Sequence, residues 1–334
     1  MKRNILLLIL TVGLLLSACG PETTAVPASN PGSEPATVTE EPTQAPMPEP
    51  TEEPTPETMT FTDDLGHTIE LTGYPQSIVS LSASTTEILF AIGAGDQVVG
   101  RDEYSVYPEA ALEVTNIGAM WEELPSEAIL ALEPDLVVAA QIISEDQVNA
   151  LRDLGLKVYW QANPTSYEVL WENLRAFAKL TGHEDETEAL IADLEARVAA
   201  VQEKTATVAE RPSVFYELDA TDPSNPWTAG SGTFIDYIIN QAGGTNAASA
   251  LEGDYAQISS EQLIAVNPDV ILLADAPYGT TAESVAERPG WDVITAVQEN
   301  ALYPIDPNMM SVPGPRLVDA LEETARLVHS ELFE

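Results

Sequence analysis

One stretch of sequence occurs twice, 134 residues apart and without a gap. The first copy is Ser126-Glu127-Ala128-Ile129-Leu130-Ala131-Leu132-Glu133-Pro134-Asp135-Leu136-Val137-Val138. The second is Ser260-Glu261-Gln262-Leu263-Ile264-Ala265-Val266-Asn267-Pro268-Asp269-Val270-Ile271-Leu272. Ser, Glu, Ala, Pro and Asp match, and most positions between them carry apolar residues of similar size. Each copy parses alike. The Ser is expected as a helix N-cap, with the Glu in the first turn, where the helix dipole favours an anion. Two turns of apolar spacing follow, proline forbids continuation, and a β-branched run reads as a buried strand. A large aromatic, Trp121 or Tyr255, stands six residues before each Glu. A duplicate of this kind predicts two similar lobes, each a small α/β unit.

The rest of the chain fits two lobes. Residues 61–71 read as a hairpin turning at Asp64-Leu65-Gly66. Ile78-Val79-Ser80-Leu81 reads as a strand, 85–92 as a helix stopped by Gly93-Ala94-Gly95, and Val98-Val99 as a second strand. Residues 101–107 form a loop carrying Tyr104. A helix over 144–154 and a strand over 157–160 follow the first repeat. Strands alternating with helices imply a parallel sheet. Over 166–180 and 184–204 two helical stretches follow each other with no strand between them, so the chain is expected to cross between lobes there on a stiff connection. The plan then recurs: a strand over 213–218, a helix over 233–240, the second repeat, a helix over 290–297, a strand over 301–305 and a terminal helix over 314–328. The boundaries are a leader at 1–19, a tether at 20–58, an N-terminal lobe at 59–164, an inter-lobe helix at 165–182 and a C-terminal lobe at 183–334.

Lys2 and Arg3, then an apolar stretch over 5–16, form a targeting segment too short to span a bilayer comfortably. It ends in Leu16-Ser17-Ala18-Cys19, which looks like a bacterial lipobox, with the chain's sole cysteine as the residue to be lipidated. Such a cysteine anchors a protein without a transmembrane helix. Residues 20–58 are rich in Pro, Thr, Glu, Ala and Ser, with no aromatic, Lys or Arg. That composition is expected to stay disordered, as a tether reaching on the order of 100 Å.

Charge excludes one class of partner. With 54 acidic and 13 basic residues the formal net charge is −41. Such a surface offers nucleic acid no footprint and repels anions at long range. One cysteine allows neither a disulfide framework nor a thiolate metal site. The three histidines, His67, His183 and His329, are far apart and expected as ordinary surface residues. The chain lacks a nucleophile elbow, a P-loop, an HExxH helix and a Gly-rich dinucleotide turn, and no nucleophile–base pair is evident. Glu87 and Asp236, on equivalent early helix turns, read as dipole compensation. No catalytic or metal-ligating residues are assigned. Aromatics remain: Tyr104, Trp121, Trp227 and Tyr255 fall in loops at the carboxyl ends of strands or just before helices, where open α/β sheets bind ligands. Two facing lobes with aromatic rims would clasp a large, flat, partly apolar ligand.

From about Ile78 to Val328 the chain resembles the bacterial substrate-binding lipoproteins of ABC importers for vitamin B12 and iron-siderophores. The resemblance rests on Ile78-Val79-Ser80-Leu81-Ser82-Ala83-Ser84-Thr85-Thr86-Glu87-Ile88-Leu89, on Gly93-Ala94-Gly95-Asp96-Gln97-Val98-Val99-Gly100 and on Leu132-Glu133-Pro134-Asp135-Leu136-Val137. In the second half it rests on Thr228-Ala229-Gly230, Ala242-Gly243-Gly244-Thr245-Asn246 and Pro313-Gly314-Pro315-Arg316-Leu317. It implies an α/β protein of the class III periplasmic-binding fold: two Rossmann-like lobes with central parallel sheets, joined by a helical backbone, with limited opening and closing. It implies that Tyr104 and Trp121 meet a corrinoid from the first lobe and Trp227 and Tyr255 from the second, with Leu218 where another aromatic can occur. It also implies that Glu127 and Glu261 dock into arginine pockets of a permease dimer with its ATPase.

The leading expectation is a monomeric binding protein, lipid-anchored outside the cytoplasm, that delivers a corrinoid and needs no cofactor. A ferric siderophore or haem on the same fold is the alternative, with Arg101 and Arg316 as candidate cations for these anionic ligands. Arg316 also reads as a helix-start residue bonded to nearby carbonyls. The scattered histidines disfavour a zinc or manganese receptor. A cell-envelope hydrolase and a non-transporting adhesin are the remote alternatives.

Overall fold

A computed structural model of the chain describes residues 58–121 and 124–333. The leader with Cys19 and nearly all of the expected tether lie outside them. The chain enters on an antiparallel hairpin, β1 (Thr58–Thr62) and β2 (Thr68–Thr72). Its turn docks on the lobe through Asp63, which pairs with Arg152 and accepts the Trp160 N–H. Then come β3 (Ile78–Ser80), α1 (Ala83–Ala91), β4 (Val98–Arg101), β5 (Thr115–Asn116), α2 (Ser126–Ala131), β6 (Leu136–Ala140), α3 (Glu145–Asp153) and β7 (Val158–Gln161). The five-stranded sheet runs β5-β4-β3-β6-β7, all parallel. β3 and β6 are buried at every residue, so both faces must be apolar. Alternation sends Ile78, Leu136 and Val138 to one core, and Val79, Val137 and Ala139 to another.

Two helices follow without a strand between them. α4 (Tyr167–Thr181) ends at Gly182, whose φ of 81° terminates the helix in left-handed backbone; a Cβ there would lie 2.8 Å from the Tyr74 ring. α5 (Glu184–Thr205) returns along it. The second lobe contains β8 (Ser213–Glu217), β9 (Trp227–Ala229), α6 (Phe234–Gln241), β10 (Thr245–Asn246), β11 (Tyr255–Gln257), α7 (Ser260–Val266), β12 (Val270–Leu273), α8 (Ala282–Ala286), α9 (Thr295–Gln298), β13 (Leu302–Pro304), α10 (Pro307–Ser311) and α11 (Leu317–Val328). Its sheet is parallel in the order β10-β8-β12-β13, with β9 and β11 forming a separate antiparallel ribbon.

The lobes share one core. Ile78 of β3, Leu174 and Phe177 of α4, Val318 and Leu321 of α11 and Tyr216 of β8 belong to a single continuous apolar cluster. Phe177 is fully buried there, and truncating a buried Phe to Ala costs about 3–5 kcal/mol. Aromatics carry the contact across: Trp171 stacks on Tyr167 at 5.9 Å, and Tyr167 meets Tyr237 of α6 edge-on at 5.3 Å. The Tyr167 hydroxyl donates to the Leu317 carbonyl.

Four local expectations are corrected. Ser126 and Ser260 are not N-caps. In the second copy Ser259 holds that position in a capping box with Gln262, and in the first Pro125 stands there and offers no side-chain acceptor. The helix expected over 290–297 is broken at Ile294, whose extended backbone lets both Trp291 and Ile294 reach the core. Asn267 then caps the restart by accepting the Thr295 N–H. Glu87 is buried and ion-paired rather than compensating a helix dipole. His329 is buried, its Nε2 3.2 Å from the Gly243 carbonyl oxygen.

Candidate functional site

The carboxyl ends of the sheet strands open onto a cavity of about 560 Å³ with walls from both lobes. In the N-terminal lobe, Leu81 to Ser84 leave β3, Asp102 and Tyr104 leave β4, and Gln141 to Ile143 leave β6. β3 and β6 are the neighbours at which the strand order reverses, the crevice where open α/β sheets bind ligands. Met120, Trp121 and Asn163 extend this wall. The facing wall holds Leu218 at the end of β8, Phe234 and Tyr255, then Asn308, Ser311, Val312 and Pro313 around α10.

Two aromatics form the N-terminal rim. Tyr104 and Trp121 meet edge to face, centroids 5.4 Å apart and planes at 66°. Both are more than half exposed, at 52% and 58%, which is unusual for such large apolar rings and leaves area for a ligand to cover. The loop is fixed from below: the Asp102 carboxylate accepts the Tyr104 N–H at 3.0 Å and the Ser105 hydroxyl. Burial pushes the Asp102 carboxyl up, against the pull of those two donors. Ser105 accepts from Thr86, the Thr86 hydroxyl also lies 2.8 Å from that of Ser80, and Ser80, Thr85 and Ser82 continue the line of hydroxyls to the floor. Hydroxyls thus underlie a largely apolar lining in which Asp102 is the one charged side chain, and no Lys, Arg or His lines the cavity among the described residues.

The structure brings Tyr104, Trp121 and Tyr255 together around the cavity. It does not bring Trp227, Arg101 or Arg316 to the cavity wall. Trp227 pairs with Gln257, two residues past Tyr255 along the ribbon, which places it roughly 7 Å farther on. Arg101 is buried and spends its donors on the carbonyls of Ala111 and Asp102. Arg316 pairs bidentately with Glu87. Glu127 and Glu261 are exposed in the first turns of α2 and α7. Sequence reasoning passed over Asp102, Gln141, Asn163, Asn308 and Ser311. Asp102 and Gln141 directly follow strands and Asn163 stands two residues past one, and that placement was the available signal.

A family described as periplasmic binding protein matches residues 78–309. An uncharacterized ABC transporter substrate-binding lipoprotein of Bacillus subtilis, YvrC, is 31% identical over 281 residues, covering 83% of this chain and 87% of that one. A cobalamin-binding protein of Halobacterium salinarum is 29% identical over 279 residues, covering 81% and 74%. The apo structure of the periplasmic heme-binding protein RhuT from Roseiflexus superposes with a TM-score of 0.69 at 30% identity, covering 78% of this chain and all of that one.

Proposed function

The chain belongs to the periplasmic binding protein family, and from that premise we propose that it captures a corrinoid between its lobes and hands it to an ABC importer. The coarser function is that of the family: an extracytoplasmic solute-binding protein of the vitamin B12, haem and siderophore type, serving an importer. The cavity's lining carries the corrinoid reading. Haem propionates and ferric catecholates bring anionic groups that need cationic partners when buried. Here the walls offer aromatic faces, carboxamides and hydroxyls, one carboxylate and, among the described residues, no cation. A corrinoid presents a flat macrocycle edged with neutral carboxamides, which suits rings above and Gln141, Asn163 and Asn308 around it. The Halobacterium relative's name points the same way.

Haem is the second reading, favoured by the likeness to the Roseiflexus protein. In either case Cys19 is the proposed lipid anchor. Thermal shifts with cyanocobalamin, dicyanocobinamide, hemin and a ferric hydroxamate separate the readings. A ligand at a hundred times its dissociation constant adds about 2.7 kcal/mol to stability. Stabilisation by hemin with none by either corrinoid would replace the first reading with the second.

A further inference from the structure

Behind the cavity, three of its segments converge on one side chain. Arg316, at the start of α11, keeps only 13% of its side chain exposed. Its Nε donates to Glu87 Oε2 at 2.9 Å and its Nη2 to Glu87 Oε1, so the fork grips a carboxylate of the other lobe, on α1, that is itself 3% exposed. The guanidinium carbon also lies 4.1 Å from the centroid of the Tyr107 ring. In each of the three segments, the residue three positions upstream lines the cavity: Pro313 before Arg316, Ser84 before Glu87 and Tyr104 before Tyr107. A planar fork gripped bidentately along one edge and stacked on a ring has few other poses. It thereby links the two walls and lies against the loop that carries Tyr104.

We propose that Arg316 is the positioning residue of the cavity: by gripping Glu87 across the lobes and lying on Tyr107, it sets the gap and holds Tyr104 against Trp121 without touching ligand. The choice of probes below rests on the corrinoid and haem readings; the placement of Tyr104 and Trp121 does not.

Tyr107 is about half exposed, so it can be changed without opening the core. Tyr107→Phe keeps the ring and Tyr107→Leu removes it. Glu87→Gln with Arg316→Gln removes both charges together, avoiding the buried unpaired charge that either single change would leave. Two readouts are taken on each cooperatively melting variant. One is acrylamide quenching of Trp121 without ligand, isolated by difference against Trp121→Phe in the same background. The other is affinity for cyanocobalamin and for hemin. Tyr107→Leu and the double variant are expected to raise Trp121 quenching about twofold and to weaken the probe that the wild type binds tenfold or more, while Tyr107→Phe restores both values. Wild-type quenching and affinity in Tyr107→Leu would overturn the proposal. So would a loss of hemin binding in the double variant with Tyr107→Leu unaffected, the mark of a direct Arg316–ligand contact. If the wild type binds neither probe, the ligand readings fail and quenching alone decides: a rise in Tyr107→Leu sustains the proposal and no change overturns it.

Discussion

Asp135 and Ser77 bind each other in both directions: the Asp135 carboxylate accepts the Ser77 N–H at 3.0 Å, and the Asp135 N–H donates to the Ser77 hydroxyl at 2.9 Å. The second lobe has its counterpart, where Asp269 accepts the Ser213 N–H at 2.8 Å and donates its own N–H to the Ser213 carbonyl. This is what the duplicated Pro-Asp does. It buckles the start of one inner strand to the start of its neighbour, β6 to β3 and β12 to β8.

The buckle makes stability depend on pH with a definite sign. The Gln76 N–H first, then Ser77, holds the Asp135 carboxyl below the usual carboxylate range. A depressed folded-state value stabilises the fold above the unfolded aspartate's pKa, about 4, and that contribution is lost as pH falls through the lower folded-state value. Asp135→Asn is expected to lower stability at pH 7 by up to about 1 kcal/mol, because the site is largely exposed. Thermal melts should show the gap between wild type and variant narrowing below about pH 4. A gap constant from pH 7 to pH 3 would remove the charge from this account.

Trp121 and Trp227 separate what the sequence grouped together. Trp121 stands on the cavity rim against Tyr104, and Trp227 lies beyond the cavity wall. Truncating an interface anchor typically costs 2 kcal/mol or more, so Trp121→Ala should weaken cyanocobalamin binding roughly twentyfold or more. Trp227→Ala should stay within about threefold of wild type, the range of a neutral surface change. Calorimetry on both variants checks the ranking, and the reverse order would move the ligand out along the β9–β11 ribbon.

The difference between these two tryptophans shows what a sequence can convey. The lobes, their parallel strands and the helical crossing were legible because apolar periodicity and the Gly and Pro stops are local signals. Tyr104 and Trp121 were legible because they follow parallel strands at the carboxyl edge of the sheet, and Tyr255 because it stands just before a helix, although it lies in the antiparallel β9–β11 ribbon rather than in a loop. Trp227 carries the same local signal, but its distance from the cavity is set by the register of β9 on β11. Glu87 looked like a dipole-compensating acid because its partner, Arg316, is 229 residues away. His329 looked like a surface residue near a chain end, yet it packs beside Gly243. Pairings across the fold have no periodicity to betray them.

Cys19 offers a test of attachment. If it carries the lipid, Cys19→Ala should move the protein from the washed membrane fraction to the soluble fraction, with ligand affinity unchanged because the cavity is built from residues 81–313. No helix among the described residues is long and apolar enough to cross a membrane in its place. Continued membrane association of the variant would assign attachment to another element.

Glu127 and Glu261 occupy equivalent sites of the duplication, each exposed in a first helical turn and six residues past a cavity aromatic. Neither takes part in an ion pair among the described residues, so replacing either should cost the fold little beyond the helix-dipole contribution. An importer built on two similar halves would present matching cationic pockets to two such carboxylates, and contacts of this kind govern docking orientation and association rate more than stability. The double reversal Glu127→Arg, Glu261→Arg should leave melting temperature and ligand affinity nearly unchanged and abolish ligand-stimulated uptake in vesicles reconstituted with the importer. Each single reversal should give partial loss, and raised salt should slow wild-type docking, since exposed charges are screened beyond about 8–10 Å at physiological ionic strength. Normal uptake by the double variant would return both residues to helix-dipole compensation alone. Loss of ligand binding instead would place them at the cavity, and the face turned toward the membrane would have to be sought elsewhere on the lobes.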